Sequence, residues 1–516
     1  MNINEAKIQV RQSVETYLSR DEYGNVKIPI SAQRPVFLMG PPGIGKTAIM
    51  QQIAQEMDIA LVSYSMTHHT RQSALGLPVI KHKSYEGVEY DISEYTMSEI
   101  IASIYDVMEK TGKKEGILFL DEINCVSETL SPSMLQFLQY KTFGRHQVPE
   151  GWAIVTAGNP PEFNRSVREF DIATMDRMRV LKVDADYDTW RRYAVNVGLH
   201  SAIITYLDIK KTDFYAIENT VDGKSYVTAR GWEDLSKTLY IYEEKGFEIT
   251  DILIGQFLYN KKISRDFASY YDLFCKYKRD YHITEILEGK VEKNIIKQAK
   301  DAPFDERLSI LGLLLDAVQD EIRKNVRFET AMRTLQTPLK DIKRAVGARE
   351  VRNDIQGVTA ALSDKRIQLE DELEKRKKSG TIGSLEREGL QIATGLINNY
   401  IKEITAKEDV RKEVFEAVRE CYASSATSLK EDIIKIKSHL DNLFVFAQKA
   451  FGEGNEMLIL VTDLTVNYDS AKFIGQKGCE KYFKYNKKFQ VYERLAKIDM
   501  QLQKIDLEQI EEQSNV

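Results

Sequence analysis

The chain has 516 residues, 43% hydrophobic and 29% charged, enough for about three domains with buried cores, which excludes an intrinsically disordered chain. Its 72 basic and 78 acidic side chains leave a formal net charge of −6, so no overall attraction to nucleic acid or anionic lipid is written into it. The four cysteines, Cys125, Cys275, Cys421 and Cys479, are too scattered for a disulfide framework or a zinc cluster. No apolar run approaches the ~20 residues needed to span a bilayer. The N-terminal stretch MNINEAKIQVRQSVETYL is amphipathic and carries acids in place of an apolar signal core. The expectation is a soluble, cytoplasmic protein without membrane insertion.

From residue 36 to about 183, short β-rich apolar runs alternate with helical segments, which predicts a parallel sheet wrapped by helices. The first run, 36–39, leads directly into GPPGIGKT and then a helix-like stretch, 48–57. Strand, glycine-rich loop and helix in that order form a cradle for nucleotide phosphates. Its candidate contacts are Gly40, Pro41, Pro42, Gly43, Ile44, Gly45, Lys46, Thr47 and Ala48. Gly43 and Gly45 let backbone amides turn inward at a helix N-terminus, Lys46 brings a cation to the β- and γ-phosphates, and Thr47 offers a hydroxyl to Mg²⁺.

Further strands are expected at 60–65, 116–120, 152–157 and 180–183. Between the second and third, 82–95 reads as a hairpin turning at Glu86-Gly87, followed by a helix over 97–111. The run GILFLDE is a buried strand whose terminal carboxylates emerge where α/β sheets place ligands. Asp121 is the candidate Mg²⁺ ligand, through water, and Glu122 the group that orients or deprotonates an attacking water. Alternatively, the two acids cap a neighbouring helix. Next, AIVTAGNPP ends in Asn159, a neutral amide suited to position that water, although Gly-Asn-Pro alone is turn chemistry. In DRMR, just before the strand at 180–183, an exposed arginine would reach the γ-phosphate of a neighbouring subunit, and both Arg177 and Arg179 are candidates. The competing reading is a salt bridge to Asp171 or Asp176. VTARGWEDL places Arg230 at a helix start, able to sense phosphate from above.

Beyond residue 186 the pattern turns helical, with a lid expected over 186–287 and long helices over 288–516, as in Leu308, Leu311, Leu315 and Val318. Residues 365–378 are densely charged up to Ser379-Gly380 and read as a solvated helix end. Leu495, Ile498, Leu502 and Ile505 follow a short heptad pattern suited to a helical hairpin or a partner contact. LILVTDLTVN ends in a DxTxN cluster loosely like a metal-dependent adhesion site, but Leu458, Val461, Leu464, Tyr468 and Ala471 fit a helix, and a helix is expected. His68, His69 and His82 lack the spacing of zinc ligands.

In this order, GPPGIGKT, ILFLDE, AGNPP, DRMR and TARGWEDL resemble the AAA+ ATPases, specifically the MoxR-type branch in the AAA_5, dynein-related group. The inserted hairpin and the approach GRHQVPEGWAIV add to the likeness, which covers roughly residues 33–258. The resemblance implies an α/β P-loop NTPase core over 1–185, a helical lid over 186–287 and, outside the family core, an all-α C-terminal region for partner docking or assembly. It also implies ATP and Mg²⁺ as cofactors, a hexameric ring of identical subunits, and ATP hydrolysis that remodels a client protein, sometimes beside a von Willebrand A domain protein. Lys46 and Thr47 would contact the nucleotide and Mg²⁺, Asp121 and Glu122 the metal and the water. Asn159 would be the first sensor, Arg177 the arginine finger and Arg230 the second sensor. Relatives commonly carry Asp-Arg-Phe where this chain has Asp176-Arg177-Met178. Two other classes remain: a McrB-like nucleic-acid motor that hydrolyses GTP, and a scaffold that binds nucleotide as an assembly switch and scarcely hydrolyses it.

Overall fold

Side chains that alternate between two buried faces build the central sheet. The computed structural model describes residues 1–68, 74, 76–163, 167–220, 223–378, 382–406 and 414–490, and it divides into two units. The first contains Met1–Thr189, Thr228–Gly231 and Arg366–Leu390. Its strands are β1 (Val36–Met39), β2 (Ala60–Ser65), β3 (Pro78–Tyr85), β4 (Val88–Tyr95), β5 (Gly116–Asp121), β6 (Thr142–Phe143), β7 (His146–Gln147), β8 (Trp152–Gly158) and β9 (Arg179–Lys182). Five of them pair in parallel in the order β2-β5-β8-β1-β9. Along β5, Leu118 and Leu120 enter one core cluster while Ile117 and Phe119 enter the other, all fully buried. Helices on both faces therefore require a continuous apolar run.

One face is covered by α1 (Ile3–Leu18) and α2 (Lys46–Glu56), the other by α3 (Glu99–Thr111) and α4 (Ser131–Tyr140). A capping box starts α1, in which the Glu5 backbone N–H donates to Asn2 Oδ1 at 2.9 Å and the Asn2 N–H donates to Glu5 Oε2 at 3.0 Å. Its buried Ala6, Val10, Val14 and Tyr17 lie on one stripe. The segment leading into β1 is fixed by a buried lysine. Lys141, 1% exposed, donates to Gln33 Oε1 at 3.1 Å, and the Gln33 amide nitrogen donates to the Tyr17 and Ile28 carbonyls.

Burial pulls the Lys141 ammonium down to about 8, since its side-chain hydrogen-bond partner is neutral. The unfolded chain therefore binds the Lys141 proton more tightly, and this group's contribution to stability rises with pH between about 8 and the ordinary 10.5. The drop corresponds to on the order of 3 kcal/mol. Lys141→Met is expected to resist denaturant better than the unaltered chain at pH 7, with the advantage shrinking as pH rises towards 10. Parallel stability curves for the two proteins across that range would contradict this.

The structure adjusts several expected boundaries. The hairpin is longer, with both strands of eight residues, and turns at Glu86 and Gly87 with φ of +52° and +84°. Arg179, expected just before the last strand, lies within β9 opposite Val36, and β5 and β8 each run one residue further, to Asp121 and Gly158.

The second unit contains Trp190–Val227, Trp232–Lys365 and Gln391–Val516. Among its elements are a short hairpin of β10 (Ala216–Thr220) and β11 (Gly223–Val227), inside a stretch expected to be mostly helical, and helices of 44 and 38 residues, Phe304–Gly347 and Val414–Phe451. Partly buried contacts tie Phe304–Gly347 to the helices that follow: His439 Nδ1 lies 2.8 Å from Glu321 Oε2, and ion pairs join Arg307 to Glu456 at 3.1 Å and Arg327 to Asp469 at 2.7 Å. The DxTxN cluster serves packing. Asp463 sits in helix Asn455–Val466 and pairs with Arg191, Thr465 bonds Val461 and Tyr482, and Asn467 caps helix Tyr468–Lys477 while donating to the Val195 carbonyl. The charged stretch 365–378 is helical and laced by Arg366–Glu370 and Arg376–Glu372 pairs. His69, Ser379-Gly380 and the heptad positions Leu495, Ile498, Leu502 and Ile505 lie outside the described residues. No helix among the described residues is long and apolar enough to cross a membrane.

Candidate functional site

In the sheet order, β1 is flanked by β8 and β9, while the chain leaves β1 for β2 at the far edge. The carboxyl ends of β1, β5 and β8 thus meet at a topological switch point, where open α/β sheets bind ligands. The loop after β1 requires its glycines. Gly43 and Gly45 have φ of +77° and +95°, and a Cβ on Gly40 would fall 2.4 Å from the Val183 carbonyl oxygen. Around Gly45, at the N-terminus of α2, a Cβ would meet nothing within 4 Å, so its glycine answers to the backbone angle and not to crowding. Pro41, Pro42 and Ile44 are half-buried in this loop, with Ile44 against the core, and Ala48 is exposed on the first turn of α2.

Lys46 opens α2 and is 8% exposed. Its ammonium donates to the Gly40 carbonyl at 2.8 Å, the Pro41 carbonyl at 2.9 Å and Asn159 Oδ1 at 2.9 Å. Burial pulls it down to about 8; Asp121 opposes this, Arg230 adds to it as a like charge, and Glu122 opposes it. A buried cation held only by neutral acceptors is stabilised by an incoming anion, so the pocket fits phosphate. Thr47 Oγ1 donates to Asp121 Oδ2 at 2.8 Å, placing a hydroxyl and a carboxylate side by side as hard oxygen ligands suited to Mg²⁺.

Glu122 follows β5 in the left-handed region, φ +55° and ψ +38°. Its carboxylate accepts from Ser65 Oγ at 3.2 Å, because β2 and β5 pair with Ser65 opposite Asp121. Ser65 escapes sequence reading, since that register is invisible in the chain. Asn124 escapes it too, although it lies two residues beyond Glu122. Its amide nitrogen donates to the Asn159 carbonyl at 2.8 Å, and Gly158 makes room for it, since a Cβ there would fall 2.4 Å from Asn124 Oδ1.

The structure thus brings Lys46, Thr47, Asp121, Glu122 and Asn159 to one strand-end pocket. Arg230, near the start of helix Ala229–Lys245, acts on Lys46 through charge. Thr228, two residues before it, closes on Gly43, where an added Cβ would fall 3.2 Å from the Thr228 side chain. Arg177 and Arg179 are apart from these contacts. Arg177 ends the short helix α5 (Ile172–Asp176), exposed, with no ion pair to Asp171 or Asp176 among the described residues; the Asp171 side chain instead caps α5 through the Thr174 N–H at 2.8 Å. Arg179 is exposed on β9.

Residues 36–171 match the sequence profile of the ATPase family associated with various cellular activities (AAA). No curated protein matches the chain. Among solved structures, it is similar to NtrX from Brucella abortus at 17% identity, covering 38% of this chain and 39% of that one with a TM-score of 0.23. It is similar also to NtrX in complex with ATP at 15% identity, covering 40% and 41% with the same TM-score. The chain therefore spans about two-fifths of the length of those structures. The five-stranded parallel sheet with helices on both faces fits a P-loop AAA+ core, and the profile match over residues 36–171 supports an AAA-type ATPase domain there.

Proposed function

We propose that the protein is a cytoplasmic, MoxR-like AAA+ ATPase that hydrolyses ATP at interfaces of a homo-oligomeric ring and uses the cycle to remodel or activate a protein partner. The observation that carries this reading is the convergence on one pocket of a phosphate-seeking ammonium, Lys46, a base, Glu122, and a positioning amide, Asn159. Thr47 and Asp121 would hold Mg²⁺, which when bound supplies charge neutralisation on the phosphates. As water attacks the γ-phosphorus, the bond to the β–γ bridging oxygen breaks, ADP leaves, and Glu122 takes the water proton. For this the Glu122 carboxylate leaves Ser65, and Lys46 exchanges Asn159 for phosphate, freeing the amide to orient the water.

The hairpin β3–β4 favours a protein over a nucleic acid as partner. It exposes Ile80, Tyr85, Val88 and Tyr90, each more than half accessible. Its cations Lys81 and Lys83 are occupied by Glu94, which Arg145 also engages and which is held at about 2 by these contacts. The exposed surface thus combines apolar side chains with lysines already engaged by a carboxylate, and suits a polypeptide.

The assembly part of the reading rests on Arg177, exposed and without an ion pair among the described residues, although its charge acts on Asp171. Arg177→Ala is expected to lower turnover at least a hundredfold alone. Mixing it with Lys46→Ala subunits is expected to restore measurable turnover, since the latter keep the arginine and the former keep the pocket. Absence of any recovery in mixed assemblies would place Arg177 outside its neighbour's site.

A further inference from the structure

The helical second unit contains a cavity of about 830 Å³, within the usual range of about 300–1,000 Å³ for ligand pockets. It goes beyond the ATPase reading and does not rest on it. Part of its wall is aromatic. Phe274 and His200 are each 2% exposed, and the His200 ring lies 4.9 Å from Tyr240 and 6.1 Å from Phe274. Three cations, Lys278, Arg279 and Arg323, line the remainder with three acids, Glu285, Asp316 and Asp320.

Of the three acids, Glu285 is exposed and acts on Lys290 through charge, and the other two are engaged as follows. Asp320 is held by Lys324 at 2.7 Å. Asp316 receives only the Tyr240 hydroxyl, at 3.3 Å, and burial pushes its carboxyl upward towards the neutral form against the pull of His200, Arg323 and Lys278. Lys278 comes no closer than 3.7 Å to Glu243, which already accepts from His200 Nε2 at 3.1 Å and Tyr271 at 2.6 Å. The guanidinium groups of Arg279 and Arg323 make neither an ion pair nor a hydrogen bond among the described residues. Arg323 is nevertheless closely accommodated: Gly198 sits at φ +75°, and a Cβ there would fall 1.8 Å from Arg323 Nη2. A half-buried guanidinium with a place made for it and no hydrogen-bonded partner is poised for an anion.

We propose that this cavity binds a small, multiply charged anion, phosphate- or carboxylate-bearing, whose charges meet Arg323, Arg279 and Lys278 and whose apolar or planar part rests on Tyr240 and Phe274. The test is calorimetric titration of the full chain carrying Lys46→Ala, which removes competition from the phosphate loop, with sodium pyrophosphate and separately with citrate. Saturable binding of at least one probe below millimolar concentration is expected, weakened at least tenfold by Arg323→Gln and by Arg279→Gln. Pyrophosphate alone would mark a phosphate site and citrate alone a polycarboxylate site. Arg279 is exposed, so its replacement keeps the test decisive should Arg323→Gln fail to fold. Binding of neither probe, or affinities unchanged by Arg279→Gln, would overturn the proposal.

Discussion

Glu122→Gln is expected to bind nucleotide as tightly as the unaltered chain while turning over at least a hundredfold more slowly. The substitution keeps size and an oxygen that still accepts from Ser65 Oγ, now 3.2 Å from Glu122 Oε2, so the left-handed turn after β5 and the neighbouring Asp121–Thr47 contact are retained. What disappears is a group able to take a proton from water, and general-base catalysis contributes about 10²–10⁴-fold. A fall in turnover without loss of binding is the signature of an interaction made in the transition state alone. Steady-state phosphate release with parallel equilibrium binding checks both halves. Unchanged turnover would remove Glu122 from catalysis, and loss of binding would make its role structural.

Arg191→Met is expected to destabilise the second unit by about 3–5 kcal/mol, the range for removing one partner of a buried ion pair. One guanidinium serves two carboxylates: Nε and Nη2 bond Asp208 at 2.6 and 2.8 Å, and Nη1 and Nη2 bond Asp463 at 2.6 and 3.2 Å. Exposures of 17%, 15% and 8% for Arg191, Asp208 and Asp463 leave little water to replace it. Burial already pushes the Asp463 carboxyl upward against the opposing Arg191 charge, so removing Arg191 releases it further upward. With the folded-state value of Asp463 raised above the unfolded one, the variant regains stability as pH falls, and its deficit is expected to be smaller at pH 5 than at pH 7. Denaturant unfolding at the two pH values measures this. A deficit under about 1 kcal/mol, or one that grows at low pH, would contradict it.

The phosphate loop and the buried strands were legible because their signals are local. Gly43 and Gly45 are needed for positive φ within one turn, and GILFLD is apolar up to its final acid because both faces of β5 are covered. The helical character of the DxTxN stretch was legible, although the helix stops at Val466, a second begins at Tyr468, and Leu458 and Tyr468 are exposed; the reason for its acid was not legible. Asp463 answers to Arg191, 272 positions earlier, and no spacing rule reaches that far. Ser65 was hidden for a related reason: its partner depends on the register of β2 against β5, which packing sets. The hairpin β10–β11 was missed because its five-residue strands lie between strong helical patterns, and β propensity alone is a weak signal over so few positions. No local signal marks Lys141 as buried, and only the fold shows it 1% exposed on Gln33.

The central claim is that Lys46 and its loop form a working nucleotide site, and calorimetric titration of the full chain with ATP in the presence of Mg²⁺ tests it most directly. Saturable uptake of one nucleotide per chain is expected, lost at least a hundredfold in Lys46→Ala. No uptake by the folded chain at millimolar ATP, or equal affinity in the Lys46→Ala variant, would contradict it.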